Sequence, residues 1–361
     1  MRRPRPDSGR RSRRRARLAL TAPIAAFAIF LAATPALACG GLIGPNGAVN
    51  LLRTTTFAGY HDGVEHYVTA FQFAGGGGAF GSITPLPGVP TSVEKGGDWT
   101  LQRLVRETSP LFDRLAAPSA AASGGAVELM TVKIDALDIT VLKGGAADIG
   151  TWATKHGFRL PPDSPEVLDF YAERSQIFLA AAFDADAAKA RGQQVGDGTP
   201  VHITIPTDNP WVPLRILALG KTAAEPVQAD VYLLTDHAPA LLPAPTGSNG
   251  IRLDASQSAS TSLLDDLRSD RGMEWIPRDG WLTKVGVDGT AGQLGYDLAV
   301  DASGAGRPSA VDAGLALPHA AAAGTPLDVG RLLLALAFVA AGLVGVTLVG
   351  RSRQGHRPTA W

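Results

Sequence analysis

The sequence predicts an α+β fold: a sheet-rich extracytoplasmic domain, mixed or antiparallel, with short helices, followed by one C-terminal transmembrane helix. Three observations lead there. Strand pairs come first, then helices, then more strands, with no regular βαβ rhythm. The 42 glycines and 26 prolines among 361 residues require many turns, without a collagen-like period. Residues 332–350 (LLLALAFVAAGLVGVTLVG) carry no charge, and at ~1.5 Å per residue a helix of that length matches a bilayer core.

The two ends agree with each other. Residues 1–38 hold nine arginines and one aspartate, then a mostly apolar run, then Ala36-Leu37-Ala38. This is the basic, apolar and small-residue order of an export signal, with cleavage expected before Cys39. A basic region of this length suits an actinobacterial preprotein, and the general and twin-arginine routes both stay open. Cys39 has two readings, a lipidation site at the mature N-terminus or a free thiol. It is the single cysteine, so no intramolecular disulfide exists. At the other end Arg331 precedes the apolar run, and Arg351, Arg353 and Arg357 follow it. The positive-inside rule places the tail, 351–361, in the cytoplasm. Ala337, Ala341 and Gly345 form a small-residue ridge on that helix, suited to close approach by another.

The neutral net charge is unevenly spread. Residues 39–330 hold 20 Lys+Arg against 32 Asp+Glu. An acidic domain repels phosphate backbones, so no nucleic-acid partner is expected. Residues 301–331 are rich in Ala, Gly and Pro and read as a stalk, which bounds the outer domain at 39–300.

Within the domain, 48–57 and 64–73 read as strands joined at Asp62-Gly63, a tight-turn pair. That register sets His61 against Val64, Tyr60 against Glu65 and Gly59 against His66. The glycines at 75–78 lack the lysine of a phosphate loop and read as a plain loop. Residues 83–93, broken by three prolines, read as extended and irregular. Asp98 caps a helix through Thr108. Residues 127–142 alternate, with Val132, Ile134, Leu137, Ile139 and Val141 inward. Asp148 caps a helix ending at Gly157, and Ser164-Pro165 starts another. Strands are expected at 177–183, 202–205, 214–220 and 227–234, and a helix at 262–270.

Four groups of side chains are candidate sites. His61 and His66 share one strand face as diagonal neighbours and are candidate metal ligands, short of the four a closed site takes. Arg215, in an apolar run, is a candidate ligand contact or the partner of Asp230. Trp275 and Trp281 flank a turn and are a candidate binding platform. Cys39 is the lipidation candidate. His156 ends a helix, where its positive form suits the dipole. His202 lies in a strand, packed or solvent-facing, and Asp236-His237 lacks a nucleophile elbow. No catalytic residue and no cofactor is indicated.

The segments Ala38-Cys39-Gly40-Gly41, Lys155-His156-Gly157-Phe158, Leu168-Asp169-Phe170-Tyr171, Ile177-Phe178-Leu179-Ala180 and Pro210-Trp211-Val212-Pro213-Leu214-Arg215 occur in this order. In them the chain resembles the bacterial family called domain of unknown function 2330. The resemblance implies an exported, often membrane-anchored protein and brings no established activity. Many relatives carry more cysteines, so any disulfide of theirs is absent here. The expectation is a membrane-anchored envelope protein acting as a non-enzymatic binding or structural module. An envelope hydrolase assembled from distant residues and a subunit of a membrane complex are the alternatives. An envelope or membrane protein is the expected partner class.

Overall fold

The computed structural model describes residues 41–45, 47–48, 54–72, 79–108, 128–193 and 198–316. The expected export signal (1–38), Cys39, the glycine run at 75–78, the expected membrane span at 332–350 and the expected tail at 351–361 lie outside them. Among the described residues, no helix is long and apolar enough to cross a membrane. The fold is a sheet-rich α+β arrangement with few, short helices.

The strands are β1 (Gly41–Gly44), β2 (Gly47–Ala48), β3 (Thr54–His61), β4 (Val64–Gln72), β5 (Phe80–Leu86), β6 (Ser92–Lys95), β7 (Glu128–Ile134) and β8 (Leu137–Lys143). They continue with β9 (Ile177–Phe183), β10 (Gly198–Pro206), β11 (Trp211–Val212), β12 (Pro226–Thr235), β13 (Ala240–Leu242), β14 (Ile251–Ser258), β15 (Trp281–Thr290) and β16 (Leu298–Asp301). The helices are α1 (Thr100–Thr108), α2 (Ala146–Lys155), α3 (Ser164–Ala172), α4 (Ala185–Ala190) and α5 (Thr261–Ser269). Three sheets result, in the orders β14-β15-β12-β3-β4-β10-β6, β2-β1-β5-β9-β8-β7 and β11-β16-β13. All neighbours are antiparallel except β12 beside β3.

The seven-stranded sheet positions the sites. The β3–β4 hairpin closes through Asp62 (φ +50°) and Gly63 (φ +77°), the paired left-handed residues of a type I′ turn. Its register is the one read from the sequence: His61 against Val64, Tyr60 against Glu65, Gly59 against His66. Side chains alternate, so the two faces differ. On one face Phe57, Val68, Tyr232, Leu234 and Leu282 pack under Leu104 of α1 and Leu263, Leu264 and Leu267 of α5. On the other, Ala58, Tyr67, Ile203, Val231, Leu233 and Val285 join a larger core with the six-stranded sheet, α2 and α3.

Several expectations are corrected. The segment 214–220 is not a strand: a 3-10 turn, Arg215–Ala218, occupies it. Backbone N–H groups of Leu214 and Arg215 bond to the buried Asp297 carboxylate instead of a strand neighbour. Residues 80–86 form a regular strand although Pro85 lies within it. Pro85 lies opposite Phe178 of β9, beyond Ile83, the last residue of β5 paired with β1 among the described residues. The cap of α1 is not Asp98. Asp270, far along the chain, accepts from Asp98 N, Trp99 N and Thr100 Oγ1 at 2.8–3.1 Å. The compact unit runs to Gly314, past 300. Asp297 N donates to the carbonyl of the fully buried Ala313, and Arg174 bonds the Asp312 carbonyl, so 301–314 is tied down despite its composition.

Candidate functional site

Where β10 lies antiparallel beside β4, His202 faces Val68 and Thr204 faces His66, so His66 and His202 are diagonal neighbours on one face. Their rings meet, His66 Nδ1 to His202 Nε2 at 2.9 Å. Trp275 lies over both, 4.0 Å from the His66 ring with planes 4° apart and 5.5 Å from His202. Gly59, opposite His66, makes this possible: a Cβ there would stand 2.5 Å from two indole carbons. Phe57 continues the stack at 5.7 Å.

This environment disfavours charge. Burial, with His202 and His61 nearby, pushes His66 down to about 4. Burial also pushes His202 down to about 4, against the opposing pull of Glu274. At neutral pH both rings are neutral, so one nitrogen donates and the other accepts. The arrangement is a half-buried aromatic stack. Gly59→Ala is expected to displace Trp275 and to cost roughly 1–3 kcal/mol by overpacking. Urea unfolding and the near-ultraviolet indole signal check this, and an unchanged indole signal would refute it.

The predicted site residues are only partly brought together. His66 and Trp275 meet, with His202 as the partner that sequence reasoning left unassigned. His61 does not join them: its Nδ1 bonds Asp236 at 2.6 Å, and Asp62 lies 3.3 Å from its Nε2. The described residues hold no group of three or more ligands able to bind a metal. Arg215 pairs with Glu166 at 2.5 Å and lies 4.3 Å over the Phe170 ring. It does not pair with Asp230, whose partner is Lys284 at 3.1 Å, because the 3-10 turn carries Arg215 away from β12. Trp281 donates its indole N–H to Ser256 at the sheet edge, and no ring contact joins it to Trp275. His156 Nδ1 donates to the Trp152 carbonyl, 2.8 Å away, at the end of α2 as expected.

The opposite face of β4 holds two features the sequence did not reveal. Glu65 is fully buried, and neither carboxylate oxygen has a hydrogen-bond partner of good geometry. Burial raises it to about 8; the nearby Trp211 backbone N–H pulls the other way and is outweighed. Tyr60, directly opposite Glu65, donates to the Thr207 carbonyl at 2.9 Å. Its ring lines a cavity of about 140 Å³ with Asp208, Asn209, Asp301, Ser303, Arg307 and Asp312. Burial raises the Tyr60 hydroxyl first, and the charges of Asp208 and Glu65 raise it further.

Comparison with known proteins gives little beyond the family. Crystal structures of baculovirus P35 overlap 69% of this chain. A mutated form after caspase cleavage has a TM-score of 0.36 at 10% identity, with 99% of that chain covered. A second structure, of baculovirus P35, has a TM-score of 0.38 at 10% identity, with 96% of that chain covered. The caspase-8/P35 complex has a TM-score of 0.38 at 9% identity, with 96% covered. Overlap at that level fixes neither fold nor function. No curated protein matches. A family model matches residues 33–249, a span that includes the segments quoted above from Ala38 to Arg215. The chain belongs to the family described as uncharacterized protein conserved in bacteria (DUF2330).

Proposed function

We propose that this is an exported, single-pass membrane protein of the cell envelope whose outer domain binds a ligand or partner and catalyses no reaction. One observation carries the non-catalytic part. The imidazoles His66 and His202, bonded to each other under Trp275, lie on one face of β4, while Tyr60 and the open polar cavity lie on the other. Acid–base catalysis needs a proton-transfer group within hydrogen-bond reach of the reacting atom. These histidines are walled off from the cavity by the sheet.

The anchoring rests on charge and hydropathy at the two ends. The arginine-rich leader and the small residues before Cys39 fit export. The uncharged run at 332–350, followed at once by arginines, fits a stop-transfer helix with its tail inside. The ridge of Ala337, Ala341 and Gly345 suits a membrane partner.

Protease treatment of intact cells making the full chain with a C-terminal epitope tests this. The outer domain is expected to be digested and the epitope to stay protected in the membrane fraction. A soluble protein, or an epitope destroyed from outside, would overturn the topology.

A further inference from the structure

We propose that the cavity beside Tyr60 is a binding site for a small zwitterion of the amino-acid class, its ammonium held by Asp208 and Asp312 and its carboxylate by Arg307. This deepens, and rests on, the reading of the outer domain as a binding module.

Charges around this cavity are left unspent. Several charged groups elsewhere in the domain are paired: Arg174 with Asp297, Lys284 with Asp230, Arg271 with Asp98, Arg103 with Asp266. Around the cavity the Asp208 and Asp312 carboxylates and the Arg307 guanidinium make no ion pair and no side-chain hydrogen bond among the described residues. All three line one space with Tyr60 and Asn209. Opposite charges facing one cavity without neutralising each other fit a ligand that carries both signs.

The walls are built rather than loose. Asp301 holds the loop by accepting from Ser303 N, Ser303 Oγ and Arg307 N at 2.5–2.9 Å. Val300 N donates to the Pro210 carbonyl at 3.0 Å, and Tyr60 is fixed to Thr207. Such preorganisation lowers the entropy cost of binding. Burial and then the Asp208 carboxylate raise the Tyr60 hydroxyl, and the negative charge of Asp208 suits an ammonium group. A volume of about 140 Å³ is below the ~300–1,000 Å³ of drug-sized pockets, so the ligand is small.

Calorimetric titration of the full chain in detergent micelles tests the site. The probes are L-alanine and D-alanine, ethylamine as ammonium alone, propionate as carboxylate alone, and calcium chloride. Either alanine is expected to bind about tenfold more tightly than each single-charge probe. Arg307→Gln and Asp312→Asn are each expected to remove about that factor while leaving the melting temperature unchanged, since Arg307 is exposed and Asp312 partly so. Heat from neither alanine would overturn the proposal. So would alanine binding indifferent to Arg307→Gln, or binding of calcium in place of alanine. Proton spectra of the bound probe separate the two readings. Conversion of alanine would support the site and sink the non-catalytic reading, whereas absence of binding would sink the site and leave the topology standing.

Discussion

Glu65→Gln is expected to raise the melting temperature at pH 8 and to leave it nearly unchanged at pH 4. The folded carboxyl is raised from 4.5 to about 8, with burial as the cause. Between those values the folded chain keeps a proton that the unfolded chain releases. Stability is therefore greatest below 4.5 and falls as pH rises toward 8, by about 1.4 kcal/mol per pH unit from this group. Glutamine imitates the protonated acid at every pH and removes the slope. By pH 8 the gain is a few kcal/mol, worth roughly 10 °C in a domain of this size. Melting curves of both proteins from pH 4 to 8 decide it. A difference that stays constant over that range would mean Glu65 titrates normally, and the account of an unpartnered buried acid would fail.

The histidine stack imposes the opposite slope. His66 and His202 are lowered from 6.5 to about 4, so the unfolded chain takes up protons before the folded one. Their contribution is present above 6.5 and is lost as pH falls through 4. Two histidines oppose one carboxyl between 4.5 and 6.5, and only the carboxyl acts from 6.5 to 8. Considering these three groups, stability peaks near 6.5. Proton uptake at low pH also puts two positive rings against each other under Trp275, so the acid limb is expected to carry the indole signal change.

Local pattern accounts for what the sequence revealed. Asp62-Gly63 fixed the hairpin register to the residue, because two left-handed positions admit one loop geometry and a one-residue slip would turn Phe57 and Val68 out of their core. The alternation through 128–143 fixed β7 and β8 for the same reason. Long-range pairing was hidden. His66 and His202 are 136 residues apart, and no local signal sets β10 beside β4 rather than another strand. The cap of α1 comes from Asp270 by the same kind of distant contact. Arg215 was misplaced because an apolar run reads alike as a strand and as a buried turn. Only the distant Asp297, which takes its backbone N–H, decides between them. The cavity joins Tyr60, Asp208 and Arg307 from three separated segments, so nothing in any one of them marks it.

Asp297→Ala is expected to be the most damaging single change in the domain. One carboxylate oxygen accepts from Tyr171 Oη at 2.9 Å, Leu214 N at 2.7 Å and Arg215 N at 3.0 Å. The other meets Arg174 at 2.5 Å, with the two side chains 3% and 0% exposed. The Tyr171 hydroxyl in turn accepts from Ile216 N at 2.8 Å. This one acid thus ties α3 and the 3-10 turn to the start of β16. Arg174 also lies 4.2 Å over the Phe170 ring and 5.0 Å over Trp211, and it ties down the 301–314 segment through the Asp312 carbonyl. Removing the acid leaves a buried guanidinium unpaired, which costs about 3–5 kcal/mol, before the orphaned N–H groups are counted. Against a total stability of about 5–15 kcal/mol, the variant is expected to accumulate as insoluble protein. Asp297→Asn keeps an acceptor for the backbone and isolates the charge effect. Adding Arg174→Met to it removes the unpaired cation, so the double variant is expected to be more stable than Asp297→Asn alone. The exposed pair gives the contrast: Glu166→Gln, which removes the negative charge facing Arg215, is expected to cost less than about 1 kcal/mol. Urea unfolding of these variants measures each step. If Asp297→Asn melts like the parent, or Arg174→Met deepens its loss, the buried ion pair is not what fixes these three elements.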